Sequence, residues 1–364
     1  MAKVFRIFVI ENPFNFMSIF YKLPVKEVRR ETAEAVSIEF DVPEHLKSEF
    51  RFIPGQYVTL QVDLDGSVLR RAYSICSTPS SGELRVSVKE VPKGRFSQFA
   101  NRKLKKGDEL EVAGPEGRFI LERSETQQNY IAFVAGSGIT PVISMIQAVL
   151  ENEPQSKFTL VYGNKSKDQT IFKKRLDELM ADNPDRFRVH YVFSQIISDK
   201  AHFGRIDKEL VKKILDMNGG TAFDVYFLCG PEQMIDTVKG ELLKRGIDDD
   251  KIKVELFTSS SHKKEVKKEL SGNTEITVIL DDEKTSFEMR MDEFILDAAL
   301  AKGLDAPYSC QGGICSSCLA RVTVGKAVME KNNILDKDEI DEGLILTCQA
   351  HPVTESIEID YDDV

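Results

Sequence analysis

The amino-acid sequence predicts a multidomain protein of α/β plus β class: an antiparallel β-barrel, then a doubly wound parallel α/β domain, then a small cysteine-bearing domain. Three observations predict this order. Residues 21–118 carry short alternating apolar segments separated by turn residues, as in a small antiparallel barrel. From Asn129 onward, apolar runs alternate with longer helical stretches, which is typical of a parallel sheet wound with helices. Four of the six cysteines follow residue 300.

Length and charge limit the possible partners. The chain has 364 residues and no low-complexity tract, enough for two or three packed domains. From Glu275 onward there are 20 Asp and Glu against 7 Lys and Arg, a balance of −13, so that with a total of −10 the first 274 residues carry about +3. This distribution argues against a nucleic-acid partner. It fits either charge-guided docking of the acidic end or simple solvation of a small domain.

The sequence shows no targeting signal and no membrane anchor. No stretch approaches the roughly 20 apolar residues of a membrane span. Scarce cysteine without a secretory signal predicts a cytoplasmic protein. Residues 1–16 are interrupted by polar residues and by Pro13, and a more regular pattern opens at Met17. We therefore expect residues 1–16 to be an added leader or a misassigned start.

The barrel, expected over residues 17–124, carries groups that a flavin needs. These are a cation for the phosphates, an aromatic ring against the flavin and a hydroxyl near its redox nitrogen. Arg71, Tyr73 and Ser74 fit the three roles in that order. A helix start can offer backbone N–H groups to a pyrophosphate, and the candidates are Gly94, Arg95, Phe96 and Ser97. Taken alone, Arg-x-Tyr-Ser is a weak motif that also occurs at ordinary strand ends.

The second domain, expected over residues 125–257, contains a glycine turn between a strand and an apolar helix. Its candidate dinucleotide-binding residues are Gly136, Gly138, Thr140 and Pro141. Glycines there would let a pyrophosphate approach the helix N-terminus, where free N–H groups favour anions. The run is not G-x-G-x-x-G, because Pro141 stands where the third glycine would be. A tight turn without a ligand is the alternative.

Two further strand ends in this domain carry candidate residues. Lys165 follows a strand that has no Asp or Glu for a ribose 2′-hydroxyl, which favours NADPH, with NADH still possible. Lys165 could equally be a solvated loop charge. Cys229, Gly230 and Pro231 end another strand, at the edge where open α/β sheets bind ligands. Cys229 could face a nicotinamide or be a packed core thiol.

The last domain, expected over residues 274–364 after a polar linker at 258–273, contains a metal-ligand pattern. Cys310, Cys315 and Cys318 form C-x4-C-x2-C, and Cys348 follows at a distance. This is the spacing of a plant-type [2Fe–2S] cluster. A structural zinc site also uses four cysteines, but usually as two short pairs. The spacing therefore predicts four ligands for a cluster that carries one electron at a time.

Taken together, the motifs resemble the ferredoxin–NADP reductase superfamily with a plant-type ferredoxin domain fused at the C-terminus. Within it, the chain resembles the reductase components of bacterial phenylacetyl-CoA epoxidases. The resemblance is carried by Pro54-Gly-Gln-Tyr, Arg71-Ala-Tyr-Ser-Ile-Cys, Gly94-Arg-Phe-Ser, Gly136-Ser-Gly-Ile-Thr-Pro, Tyr162-Gly-Asn, Gly204-Arg-Ile-Asp, Cys229-Gly-Pro, Ile295-Leu-Asp-Ala-Ala-Leu and Cys348-Gln-Ala. One departure is Lys165, where such relatives often carry arginine; lysine keeps the charge but not the bidentate geometry.

This resemblance implies a β-grasp-like ferredoxin domain, FAD as the flavin, and catalytic positions for Ser74 near the flavin and Cys229 near the nicotinamide. It also implies that electrons pass from NAD(P)H through FAD and the cluster to the subunits of a multicomponent di-iron oxygenase. Two alternatives stay open. The acceptor could be a ring hydroxylase, a desaturase or a cytochrome, or the chain could be a redox-sensing module that is not an enzyme.

Overall fold

A computed structural model describes residues 19–199, 201–217, 223–258, 270–332 and 334–364. The described residues divide into two compact units, one before and one after residue 262. The expected leader, residues 1–16, lies outside the described residues, as do residues 259–269 of the expected linker. The two ends of that linker, Thr258 and Asn273, are strand residues.

The first part of the N-terminal unit is an antiparallel barrel whose strand order is β4-β3-β6-β1-β2-β5. Its elements are β1 (Phe20–Thr32), β2 (Ala35–Phe40), β3 (Tyr57–Leu64), β4 (Ser67–Ser74), β5 (Leu84–Lys89), α1 (Arg95–Arg102) and β6 (Glu109–Ala113). A bridge between Ile75 and Val86 joins the end of β4 to β5, and the Cys76 N–H donates to the Arg85 carbonyl at 2.8 Å. The sheet is thereby closed, with alternate apolar side chains such as Ile38 and Leu60 fully buried inside.

The second part of this unit is a parallel six-stranded sheet, ordered β10-β9-β8-β7-β11-β12. Its elements are β7 (Asn129–Ala135), α2 (Ile139–Asn152), β8 (Lys157–Asn164), α3 (Lys173–Asp182), β9 (Phe187–Phe193), β10 (His202–Phe203), α4 (Lys208–Met217), β11 (Val225–Pro231), α5 (Glu232–Lys244) and β12 (Ile252–Thr258). The chain winds outward from β7 in one direction and resumes at β11 in the other. The strand order therefore reverses between β7 and β11, where doubly wound folds bind ligands.

The barrel and the parallel sheet contact each other within the N-terminal unit. The Ser144 hydroxyl on α2 donates to the Ser77 carbonyl after β4 at 2.6 Å. The Phe119 ring packs edge-on against Phe227 of β11, with the ring centroids 5.6 Å apart. These contacts hold the barrel domain against α2 and β11 of the parallel domain.

The C-terminal unit is a mixed sheet with a helix packed on it. Its elements are β13 (Asn273–Leu280), β14 (Glu283–Arg290), α6 (Ile295–Ala301), β15 (Leu319–Val324), β16 (Ala327–Met329), α7 (Lys337–Asp341), β17 (Leu344–Leu346), β18 (Ala350–Pro352) and β19 (Ser356–Asp360). The five-stranded sheet is ordered β14-β13-β19-β15-β17, with β13 and β19 parallel, and β16 pairs with β18. Ile295 and Leu296 of α6 are fully buried in the same core as Ile276 and Ile359. This is the β-grasp-like arrangement that the resemblance implied.

The predicted fold class is confirmed in all three parts. The alternating segments of residues 21–118 form the six strands β1 to β6, with α1 between β5 and β6. Among the helices that the structure describes, none is both long enough and apolar enough to cross a membrane.

Candidate functional site

The predicted flavin residues Arg71, Tyr73 and Ser74 lie on β4, the first strand in the order of the barrel sheet. Arg71 and Tyr73 share one face of β4, and Ser74 points to the other, because side chains alternate along a strand. The Tyr73 ring packs against Phe96 with the centroids 5.3 Å apart, and burial raises the pKa of the Tyr73 phenol. The structure thus brings the Arg71 motif and the Gly94 motif together.

Helix α1 begins immediately after Gly94, and its first turn is tightly built. A Cβ at Gly94 would lie 2.4 Å from the Ser97 hydroxyl and 2.5 Å from the Val91 side chain, so the turn has no room for a side chain there. The Ser97 hydroxyl accepts from the Val91 N–H at 3.2 Å and donates to the Gly94 carbonyl at 3.1 Å. The Arg95 guanidinium donates to the Leu64 carbonyl at 2.5 Å, at the turn between β3 and β4. These bonds order a helix start whose N–H groups suit a pyrophosphate.

The residues of this region fit a flavin dinucleotide in chemistry. Arg71 is half-buried and donates to the neighbouring Arg70 carbonyl at 2.6 Å, which orients its guanidinium along the strand. Ser74 is 4 % exposed. A cation, an aromatic ring, a hydroxyl and a helix start therefore lie on contiguous parts of one barrel edge.

The glycine turn lies at the reversal of strand order. Gly136 has φ +58°, a left-handed conformation that favours glycine. A Cβ at Gly138 would lie 2.4 Å from the Cys229 carbonyl oxygen, so only glycine lets the turn after β7 pack this closely against β11. The Thr140 hydroxyl donates to the Ser137 carbonyl at 3.1 Å, and the Tyr162 hydroxyl donates to the Gly136 carbonyl at 3.0 Å.

Pro141 stands in the first turn of α2, where a missing N–H costs no intrahelical hydrogen bond. Its ring does not interrupt the helix, and its place instead of a third glycine is compatible with the fold. Gly230 and Pro231 end β11, and α5 begins at Glu232. The predicted dinucleotide residues therefore surround one rigid turn at the carboxyl edge of the sheet.

Cys229 lies fully buried beside this turn and has an acidic neighbour that the sequence analysis missed. Glu255 on β12 is opposite Cys229 in the parallel register, and the Cys229 Sγ lies 3.9 Å from the Glu255 Oε2. Burial raises the pKa of both groups, that of Glu255 to about 8. The available signal was one acid within the alternating run from Ile252 to Leu256, but only the strand pairing shows that Cys229 is its neighbour.

We expect Glu255→Gln to change how stability depends on pH. Because the pKa of Glu255 rises on folding from about 4.5 to about 8, the wild type loses stability as the pH rises through that interval. Below pH 4.5 the Glu255 carboxyl is protonated in both the folded and the unfolded protein. Its ionisation should then contribute little to the difference in stability between wild type and variant. Urea midpoints at pH 5 and pH 8.5 measure the effect, and a constant difference between wild type and variant would contradict it.

Lys165 follows β8 and is exposed, so its amine is accessible to the 2′-phosphate of a coenzyme. A second lysine lies near it. Lys89, at the end of β5 in the barrel, has a pKa that is lowered first by burial and further by the positive charge of Lys165, while Glu34 raises it. Two amines from different parts of the unit thus share one region, which favours an anion. The sequence analysis missed Lys89, because 76 positions separate the two lysines in the chain.

Lys165→Ala is expected to raise the KM for NADPH about tenfold or more and to change the KM for NADH less than twofold, since one charge–phosphate contact contributes about 1.5–3 kcal/mol. The assay is ferricyanide reduction with each coenzyme. Lys174→Ala is the control, because this side chain is 93 % exposed on α3 and has only a distant ion pair with Glu178. Equal losses with the two coenzymes would remove the proposed role of Lys165.

The four predicted metal ligands converge in the C-terminal unit. The Cys310 thiol makes hydrogen-bond contacts with Cys315 and Cys348, and Cys348 makes another with Cys318. Cys310 is half-buried, and the other three are 1–5 % exposed. These contacts bring the four sulfurs close enough together to ligate one cluster.

The backbone shapes the loop around these sulfurs. Gln311 and Gly313 have φ of +51° and +70°, and the Gly312 N–H points to the Cys310 Sγ at 3.4 Å. The Gln349 amide donates to the Gln311 carbonyl at 3.3 Å and to the Cys348 carbonyl at 2.7 Å. These hydrogen bonds therefore connect the cysteine loop at Gln311 to Cys348, the fourth ligand.

Cys318, the third ligand, is also held by hydrogen bonds. The Thr347 N–H and hydroxyl both donate to the Cys318 carbonyl, at 3.1 and 3.0 Å, and Tyr361 donates to the Thr347 hydroxyl at 3.0 Å. A plant-type cluster distributes four cysteine thiolates over two irons. The donor set fits that cluster.

Comparison with known protein families assigns each part of the chain. Residues 22–120 match the oxidoreductase FAD-binding domain, residues 133–240 match the oxidoreductase NAD-binding domain, and residues 278–353 match the 2Fe-2S iron-sulfur cluster binding domain. The chain is 40% identical over 352 residues to the reductase component of the 1,2-phenylacetyl-CoA epoxidase of Escherichia coli strain K12, covering 95% of this chain and 99% of that protein. The chain belongs to the ferredoxin–NADP reductase superfamily.

Within this superfamily, it belongs to the branch with a fused [2Fe–2S] domain. It is 34% identical over 352 residues to the ferredoxin reductase component of 3-ketosteroid-9-alpha-monooxygenase from Rhodococcus rhodochrous, covering 93% of this chain and 96% of that protein. The structure of phthalate dioxygenase reductase shares the fold, with a TM-score of 0.61 and 23% identity, covering 94% of this chain and 98% of that one.

The family confirms the predicted recognition and cofactor set: FAD, a nicotinamide dinucleotide and a [2Fe–2S] cluster. The protein is a flavin- and iron–sulfur-dependent oxidoreductase that transfers electrons. The zinc alternative and the alternative without enzymatic activity are thereby set aside. The roles of individual residues, the domain boundaries and the preference for NADPH stay predictions.

Proposed function

We propose that this reductase passes electrons from NAD(P)H through FAD and the [2Fe–2S] cluster to the di-iron oxygenase subunits of a phenylacetyl-CoA epoxidase in the cytoplasm. The observation that carries the proposal is 40% identity to the reductase component of the Escherichia coli epoxidase over 95% of this chain and 99% of that protein. A fusion of the same three domains along the whole length implies the same electron path. The cytoplasm is assigned because cysteine is scarce and four of the six cysteines are metal ligands in the proposal.

The barrel would hold the flavin by groups that already lie in place. When bound, FAD accepts a hydride from NAD(P)H and the cluster carries single electrons onward. Arg71 and the N–H groups of residues 94–97 would neutralise the phosphates, and Tyr73 would cover the flavin ring. Phe96 supports Tyr73 from behind at 5.3 Å between ring centroids. Ser74, at the end of β4, would offer its hydroxyl near the reacting edge.

The parallel sheet would place the nicotinamide against that edge. The backbone of the Gly136–Gly138 turn would bind the pyrophosphate. The close packing of Gly138 on Cys229 would determine how near the dinucleotide comes to β11. Cys229 would contact the nicotinamide, and Glu255 would position the Cys229 thiol through its 3.9 Å contact. Lys165 and Lys89 would select a 2′-phosphate. The work of these residues is to hold two reactants in a reacting geometry.

Reconstitution with purified oxygenase subunits of the Escherichia coli epoxidase tests this proposal. We expect NADPH-dependent epoxidation of phenylacetyl-CoA, with about one product formed per NADPH consumed. The matched comparison uses the oxygenase component of 3-ketosteroid-9-alpha-monooxygenase, because the reductase of that system is 34% identical to this chain. Rapid turnover with the steroid oxygenase and none with the epoxidase would assign a different acceptor.

A further inference from the structure

One buried hydroxyl beside the cluster ligands has no partner. The Ser309 side chain is 1 % exposed, and its Oγ makes no hydrogen bond with any residue that the structure describes. A buried hydroxyl without a partner is destabilising, so such groups normally have an acceptor. Ser309 is the residue immediately before Cys310. The missing acceptor is therefore to be found next to a metal ligand.

The position of this hydroxyl within the chain narrows the choice of acceptor. Five buried side-chain atoms without partners occur in the described ranges, and the Ser309 Oγ is the one in the C-terminal unit. The backbone N–H groups of Gly312 and Ile314 already point toward the Cys310 sulfur. The loop thus directs its donors toward sulfur, and a hydroxyl beside them is a further donor of the same kind.

We propose that the Ser309 hydroxyl donates a hydrogen bond to a sulfur of the [2Fe–2S] cluster, a ligand thiolate or a bridging sulfide, and that this bond raises the reduction potential of the cluster. Reduction adds one negative charge, which is shared by the sulfurs. A donor to sulfur stabilises the reduced state more than the oxidised one. Ser309 is in this sense a tuning residue for electron delivery, and the inference rests on the cluster, not on the identity of the acceptor.

Redox titration of the holoprotein tests the inference. The potential is followed by the EPR signal of the reduced cluster in wild type, Ser309→Ala and Ser309→Thr. We expect Ser309→Ala to make cluster reduction roughly three- to tenfold less favourable, the effect of about one neutral hydrogen bond. For one electron, tenfold corresponds to about 59 mV. Ser309→Thr keeps the hydroxyl and should restore most of the shift.

The matched control is Ser286→Ala, which should leave the potential unchanged. Ser286 is exposed on β14, and its hydroxyl is 2.8 Å from that of Thr277. In the strand order of the sheet, β14 lies at one end and β17, the strand that precedes the ligand Cys348, lies at the other. A Ser309→Ala protein with a full cluster and an unchanged potential would overturn the inference. If Ser309→Ala loses the cluster, the isosteric Ser309→Thr and Ser309→Val pair gives the same contrast, and equal potentials would overturn it.

A further outcome of this experiment concerns assembly of the cluster. If neither Ser309→Ala nor Ser309→Val retains iron and sulfide while Ser309→Thr does, the hydroxyl is needed to build the cluster, and the tuning role is wrong. None of these measurements uses an oxygenase. A wrong acceptor in the proposed function would therefore leave the Ser309 result standing, and a wrong Ser309 role would leave epoxidase turnover possible.

Discussion

Cys315→Ala is expected to abolish NADPH-dependent reduction of cytochrome c, by at least about 100-fold, while NADPH-dependent reduction of ferricyanide stays within about twofold of wild type. Cys315 is one of four thiols in mutual contact, so its loss leaves one iron with an incomplete ligand set. Ferricyanide can take electrons at the flavin, whereas cytochrome c is expected to take them through the cluster. The separation of the two activities follows from the division into two compact units.

Cys76→Ala is the matched control, because Cys76 is also a buried cysteine. It lies in the barrel, its Sγ donates to the Arg85 carbonyl at 3.3 Å, and burial raises the pKa of its thiol to about 12. Both activities should survive this change. Loss of both activities in Cys315→Ala would contradict the modular electron path, since the flavin and nicotinamide sites would then depend on the cluster ligands.

Gly138→Ala is expected to remove coenzyme turnover, with kcat/KM for NADPH lowered at least about 100-fold in the ferricyanide assay. The new Cβ would lie 2.4 Å from the Cys229 carbonyl oxygen and 3.1 Å from its Sγ. The first distance is roughly 1 Å below ordinary van der Waals separation. The backbone must therefore shift where the turn after β7 packs against β11. Such overpacking costs about 1–3 kcal/mol, so the thermal midpoint of the N-terminal unit should fall by several degrees.

Gly240→Ala provides the contrast for this prediction. A Cβ at Gly240 on α5 meets nothing within 4 Å, so alanine is expected to stabilise the helix by about 0.5–1 kcal/mol and to leave turnover unchanged. Comparable losses in both variants would show that glycine matters generally in this unit. Normal turnover in Gly138→Ala would contradict the proposal that this close-packed turn is part of the dinucleotide site.

Much of the fold was predictable because local patterns specify it. The run from Leu84 to Lys89 alternates and is β5, residue for residue, and the apolar run at Ile139 is α2. The cysteine spacing gave the cluster ligands, since three of them share one loop. These signals lie within short windows of sequence, where periodicity and ligand spacing are sufficient.

The short strands and the neighbours of the site were not predictable in the same way. Strands such as β16 and β18 have three residues each, too few for a period to show. Glu255 lies beside Cys229 because β11 and β12 pair in parallel, and Lys89 feels the charge of Lys165 because the barrel packs beside the sheet. Ser309 was part of the cysteine motif, but only its burial reveals a hydroxyl without a partner.

An anaerobic visible-absorption titration of the holoprotein with NADPH, and in parallel with NADH, tests the electron path most directly. The account predicts flavin bands and a [2Fe–2S] envelope in the oxidised protein, both bleached by either coenzyme and faster by NADPH. In Cys315→Ala only the flavin bands should remain and bleach. Flavin that bleaches while a fully assembled wild-type cluster stays oxidised would contradict the proposed transfer from flavin to cluster.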